Sequence, residues 1–218
     1  MARSRSGRAS AVDGLSRTER ERAEAAARAL ETSGIPRVLA AFNPLPVDSI
    51  RAGLDLPDSD VDVVCGYRTR LELLVALAPL LDRWSDGSVR VDGGVVVART
   101  RANGFDVELY AAPGASADQP AARHSRVACR LASLGGAPFR EAVRALKRTG
   151  AKTEPAIAAV LRLEGDPYDA VARLDGVDDA VCRALLGAAR SKTVRYDLGR
   201  SVGRSVERAS RRGDRDVQ

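Results

Sequence analysis

The segment Leu56-Pro57-Asp58-Ser59-Asp60-Val61-Asp62-Val63-Val64-Cys65 constrains this chain more than any other. A turn runs into a β-branched, apolar run, which reads as a loop entering a strand. Side chains alternate along a strand, so Asp60 and Asp62 share one face while Val61 and Val63 share the other. Two carboxylates held that close on a half-buried strand repel one another, and one takes up a proton unless a cation sits between them. A hard divalent ion with oxygen ligands, Mg2+ above all, is the natural cation. The alternative is a solvent-facing acidic strand edge.

The 218 residues suit one domain, or one domain with a helical appendage. Apolar residues make up 44% but aromatics only 4%, so Ala, Val and Leu must fill the core. No run of about eighteen apolar residues and no signal-peptide core is present, so a soluble, cytoplasmic protein without a membrane partner is expected. Cys65, Cys129 and Cys182 lack metal-ligand spacing and are expected to be reduced and buried. His124 is the single histidine, which excludes a His-rich metal site within one chain and leaves little room for Ser-His-Asp or Cys-His catalysis.

The net charge of +6 is unevenly spread. From Arg190 onward nine basic residues stand against four acidic ones, so nearly all the excess lies there. Residues 1–14 read as a disordered basic arm and 191–218 as a disordered Arg-rich tail. In a helical conformation Arg200, Arg204, Arg208, Arg211 and Arg215 would line one side of that tail, a stripe suited to nucleic acid.

Between these ends, residues 15–115 read as an α+β domain and 116–190 as a helical C-terminal region. Ser16 and Glu19 form a capping box for a helix to about Thr32, and a short helix spans Pro36 to Phe42. A short strand at Leu45 precedes the acidic strand. Thr69 to Trp84 is helical, with Leu71, Leu74, Leu77, Leu80 and Leu81 as its packed residues. Three strands follow, joined at Gly93-Gly94 and Asn103-Gly104. The order α-α-β-β-α-β-β-β predicts a mixed sheet with helices on one side. Beyond Pro113, helices are expected over 119–134, 138–148, 153–163, 167–174 and 178–190, separated by Gly and Pro.

Glu108 lies between Val107 and Leu109 on the last strand and is the third candidate carboxylate, with Asp106 as its rival. Ser49 lies on a turn that can aim N–H groups and a hydroxyl at a phosphate. Three carboxylates, Asp60, Asp62 and Glu108, with a phosphate-holding turn suit two-metal phosphoryl or nucleotidyl transfer. Lys147 and Lys152 could reach a triphosphate from the helical layer, although Thr153-Glu154-Pro155 reads equally as a capped helix start. Arg51 is either a phosphate contact or an exposed turn arginine. His124 reads as a helix residue, and Asp166-Pro167 as an N-cap with a first-turn proline.

At these residues a resemblance enters. Ser49-Ile50-Arg51-Ala52-Gly53 followed by Asp58-Ser59-Asp60-Val61-Asp62 resembles the motif of minimal nucleotidyltransferases of the polymerase-β superfamily. Leu56 to Cys65, Leu146-Lys147, Gly150 to Ala156 and Gly165-Asp166-Pro167-Tyr168 resemble the domain-of-unknown-function 4269 family, which is regarded as nucleotidyltransferase-like. The resemblance covers roughly Leu39 to Leu174. It implies a nucleotidyltransferase-like mixed sheet that binds an NTP with two Mg2+ ions through Asp60, Asp62 and Glu108. Ser49, Arg51, Lys147 and Lys152 would hold the phosphates. An NMP would pass to an acceptor hydroxyl of a protein, RNA or small molecule, with release of pyrophosphate. One position departs from the pattern: Asp48 stands where such proteins carry Gly, adding bulk and negative charge beside a triphosphate. The alternative is therefore a catalytically inactive nucleotide- or RNA-binding module of the same fold.

Overall fold

The computed structural model describes residues 14–191. The basic arm and the Arg-rich tail, with its arginine stripe, lie outside the described residues but for their innermost positions.

Helix α1 (Arg17–Ser33) starts at the Ser16 capping box and ends at Gly34; α2 (Ile35–Val38) and a 3-10 turn at Ala40–Phe42 follow. Strand β1 (Leu45–Pro46), a 3-10 turn at Ile50–Ala52, and strand β2 (Val61–Tyr67) come next. Helix α3 (Arg70–Arg83) leads to β3 (Ser88–Asp92), β4 (Val95–Ala102) and β5 (Phe105–Pro113). The strands form one sheet in the order β1-β2-β5-β4-β3. Only β2 and β5 are parallel, and their register sets Asp62 directly opposite Glu108. The expected mixed sheet of an α+β fold is what forms.

Alternation decides which side of the sheet is covered. Val61, Val63 and Cys65 of β2, Val96 and Ala98 of β4, and Val107, Leu109 and Ala111 of β5 are buried against α1, α2 and α3. Small residues on α1, namely Ala23, Ala26 and Ala29, let that helix lie close to the strands. Leu71 is not among the packed residues of α3, contrary to expectation. It is 68% exposed, and the buried stripe is Leu73, Leu77 and Leu80, with Leu74 partly buried against it. Both stripes fit a helical period, and the direction in which α3 meets the sheet selects between them.

A second core lies in the helical region. Helix α4 (Pro120–Arg148) is one run by hydrogen bonding but kinks at Gly136, whose φ of 64° and ψ of −161° only glycine adopts readily. The expected break between two helices is this kink. Helices α5 (Thr153–Leu161), α6 (Pro167–Ala172) and α7 (Asp179–Ser191) complete the layer. Leu131, Phe139, Val143, Ile157, Leu161, Val171 and Leu186 fill its interior. Ala52 and Leu54, from the turn between β1 and β2, are buried in this helical core and not in that of the sheet.

Polar contacts tie the two layers together. Gln119 Nε2 donates to the Cys65 carbonyl at 2.5 Å. The Ser116 hydroxyl accepts from Gly66 N–H at 2.7 Å and donates to the Phe42 carbonyl at 3.0 Å. Arg140, on α4 beyond the kink, is only 3% exposed and meets Glu19 of α1 at 3.1 Å. Arg144 reaches the same carboxylate at 2.6 Å and the Gly53 carbonyl at 2.7 Å. The three cysteines are free, Cys65 and Cys182 buried and Cys129 half-buried. No described helix is long and apolar enough to cross a membrane.

Candidate functional site

The face of β2 turned away from the α1–α3 core looks into a cleft of about 390 Å³. One wall is acidic: Asp58, Asp60 and Asp62 from the loop before β2 and the strand itself. The opposite wall carries Lys147 from the end of α4 and Lys152 and Thr153 from the start of α5, with Ser49 beside them. Lys147 Nζ donates to Ser49 Oγ at 3.1 Å, across 98 positions of sequence. Four of the seven singled-out residues, Ser49, Asp60, Asp62 and Lys147, thus line one cleft, and Lys152 makes a fifth.

The electrostatics of the acidic wall follow from burial and crowding. Burial raises the pKa of Asp62 to about 6, helped by the charges of Asp60, Asp48 and Glu108 and opposed by Lys152. Asp60 is raised by burial and by Asp106 and Glu108, while Lys152 and Arg99 pull it down. Lys147 is lowered by burial, against the pull of Asp55 and Glu154. An oxygen-only donor set crowded by other carboxylates that raise both pKa values fits a hard divalent cation. Asp60 and Asp62 are the residues that would hold one.

Glu108 is less free than expected. It faces Asp62 by register, but its carboxylate takes a close hydrogen bond from Arg99 Nε, the residue opposite it on β4. Among the described residues, no group of three or more His, Cys, Asp or Glu side chains is arranged to hold a metal ion. Asp106, the rival, is ion-paired with Arg101 at 3.9 Å.

Arg51 is placed away from this cleft. Its guanidinium donates to the Pro46 carbonyl at 2.7 Å and lines a second cavity, also of about 390 Å³, between α1 and β1. Asp48 stands in the wall of both cavities. It is 4% exposed, and its Oδ1 accepts from Arg51 N–H at 3.1 Å, so it caps the turn that begins at Ser49. Its φ is not positive, so the backbone has no need of glycine there. Burial raises its pKa, opposed by the backbone N–H and the charge of Arg51.

The sequence marks His124 as an ordinary helix residue, yet it lines the cleft. Its Nε2 meets the Tyr168 carbonyl at 3.1 Å and its Nδ1 lies 3.6 Å from Glu154. Nothing local marks this, because α4, α5 and α6 meet only in the folded protein.

The raised pKa of Asp62 has a measurable consequence. Its folded value near 6 lies above the unfolded value of about 4, so the folded state binds the extra proton between those limits. Metal-free stability is therefore expected to fall as pH rises from 4 through 6. After allowance for solvent screening the loss is about 1–2 kcal/mol. Asp62→Asn is expected to flatten that segment of a urea-denaturation pH profile. A wild-type profile already flat there would remove the electrostatic account.

The chain belongs to the family described as domain of unknown function DUF4269, whose model matches residues 28–174. That match begins before the stretch on which the sequence resemblance rests. No curated protein matches the chain. Among solved structures it overlaps Cid1 poly(U) polymerase with MgGTP bound, at 15% identity and a TM-score of 0.48, covering 72% of this chain and 50% of that one. The GLD-2/RNP-8 complex overlaps at 17% identity and 0.49, covering 79% and 66%. The polymerase core of TRAMP overlaps at 17% and 0.39, covering 84% and 62%. The chain spans about half the length of the Cid1 chain. Overlaps this partial assign neither activity nor substrate.

Proposed function

We propose that the protein is a Mg2+-dependent nucleotidyltransferase that moves an NMP from an NTP to an acceptor hydroxyl. The observation that carries this is the pairing of Asp60 and Asp62 with Ser49, Lys147 and Lys152 across one cleft. Ser49 and the two lysines hold the β and γ phosphates, the lysines as point charges and the hydroxyl as a hydrogen-bond donor. The acceptor oxygen attacks the α phosphorus, the bond from that phosphorus to the bridging oxygen breaks, and pyrophosphate leaves. The hydroxyl proton passes to a carboxylate beside the acidic wall, with Glu108, opposite Asp62 on β5, as the acceptor once Arg99 releases it. Asp60 and Asp62 would hold Mg2+, which when bound would supply counter-charge for the phosphates and lower the pKa of the attacking hydroxyl. Asp48 caps the Ser49 turn, and its charge adds to the crowding that a cation at Asp62 would relieve.

The test is incubation of the protein with each labelled NTP, Mg2+ or Mn2+, and cell extract. Wild type is expected to transfer label, and Asp62→Asn to lose it. NTP binding without transfer under any metal would replace this reading with a binding module of the same fold, in which Arg99 keeps Glu108 out of play. Absence of both binding and transfer would overturn it outright.

A further inference from the structure

The geometry points to Arg22 as the positioning residue that fixes the spacing between the two acid-bearing strands, and through it the affinity of the acidic wall for a divalent cation. This rests on the reading of that wall given above.

Arg22 lies on α1, outside the cleft, and its side chain is 31% exposed. Its Nε donates to Asp55 Oδ2 at 2.5 Å, and the Asp55 side chain is 9% exposed. Its Nη2 donates to the carbonyls of Leu56, at 3.0 Å, and Pro57, at 2.8 Å. The plane of the guanidinium is also used, because its central carbon lies 5.2 Å from the centre of the Phe105 ring. One side chain therefore makes a charge-assisted bond, two carbonyl bonds and a cation–π contact.

What these four contacts join matters more than their number. The Asp55–Pro57 segment is the entry to Asp60 and Asp62. It closes on itself downstream, where Ser59 Oγ accepts from Leu56 N–H at 2.9 Å and Ser59 N–H donates to the Leu56 carbonyl at 3.0 Å. Phe105 is the first residue of β5, the strand that carries Glu108. In the parallel ladder Val61 pairs with Val107, so Arg22 holds the chain just ahead of that ladder on both sides, at Asp55–Pro57 before Asp58–Asp60 and at Phe105 before Asp106. A guanidinium fork can hold carboxylate and carbonyls in one plane while its face rests on an aromatic ring. A lysine ammonium can replace the charge but not the fork or the stacked face.

The experiment compares wild type, Arg22→Met, Arg22→Lys, Phe105→Leu and Asp62→Asn, at a temperature where melting curves show each folded. Mn2+ affinity is read from water-proton relaxation, and tripolyphosphate affinity, without metal, from calorimetry. Both Arg22 variants are expected to bind Mn2+ roughly tenfold more weakly, the range seen when groups orienting a metal's ligands are lost. Tripolyphosphate affinity is expected to stay within about twofold, because its ligands lie on the helical wall, whereas general loosening would weaken both. Phe105→Leu removes only the ring and should shift Mn2+ affinity in the same direction by less. If neither Arg22 variant folds, an unchanged Mn2+ affinity in Phe105→Leu overturns the proposal. It is also overturned if the Arg22 variants bind Mn2+ like wild type while Asp62→Asn does not, or if both ligands weaken together. Wild type and Asp62→Asn binding Mn2+ equally, or not at all, would overturn the acidic-wall reading and the positioning role with it.

Discussion

Arg140→Met is expected to destabilise the protein by about 3 kcal/mol, seen as a lower midpoint in urea at unchanged slope. Arg140 is 3% exposed, and all its described partners are internal: Glu19 at 3.1 Å and the carbonyls of Ala132, at 3.3 Å, and Gly14, at 2.8 Å. Methionine fills much of the volume but withdraws the donors that the Ala132 and Gly14 carbonyls and the Glu19 carboxylate take from Arg140, the Ala132 bond being a buried one. The loss falls at the lower end of the range for broken buried pairs, because Arg144 still contacts Glu19 at 2.6 Å. The same cluster sets an acid limit. Burial pushes the Glu19 carboxyl up, but hydrogen bonds from Arg144, Ser16 and Arg140 outweigh it and hold the pKa at about 2. A depressed folded value gives stability that is complete above the unfolded pKa of about 4.3 and is lost as pH falls toward 2. Acid denaturation should therefore steepen below pH 4 in wild type and not in Glu19→Gln. A shift under about 1 kcal/mol for Arg140→Met would show that the polar contacts of Arg140 add little to what holds the layers together.

Gly66→Ala is expected to be at least as damaging, about 3 kcal/mol or more, with loss of soluble yield as the first sign. An added Cβ would lie 2.0 Å from the Gly114 carbonyl oxygen and 2.7 Å from Ser116 N. Both neighbours are backbone, so no side chain can turn aside. The end of β2 would have to part from the 113–116 segment and break the Gly66–Ser116 bond. The penalty comes from close approach alone, since the φ of Gly66 is not positive. A variant that melts like wild type would mean that the 113–116 segment yields freely. Its tie to Phe42 would then matter little.

Much of this fold was legible because its signals are local. The Ser16–Glu19 box, the turns at Gly93-Gly94 and Asn103-Gly104, and the break at Gly136 each depend on residues within a few positions of one another. The acidic pair and Ser49 were legible for the same reason. What escaped was set at a distance. The parallel register that sets Asp62 against Glu108 follows from a crossover that no short window contains. The choice of Leu73 over Leu71 is made by the sheet, since both satisfy the helical period. Arg99 holds Glu108, Arg51 turns to Pro46, and His124 enters the cleft, each through partners supplied by other elements. Asp48 is legible as a departure from the pattern, but its local use is not. Glycine was expected for its freedom near phosphates, whereas this turn uses a side-chain cap at negative φ.

Ala52 and Leu54 belong to the helical core although they lie between two strands of the sheet. The Ser49 turn thereby spans both hydrophobic bodies, with Ile50 in the sheet core, while Lys147 rides on the helical body and Asp62 on the other. A triphosphate reaching from one to the other would act as a rivet between two independently filled interiors. Its binding should slow amide exchange in Val61–Val63 and in Leu131–Phe139 together, far beyond the residues it touches.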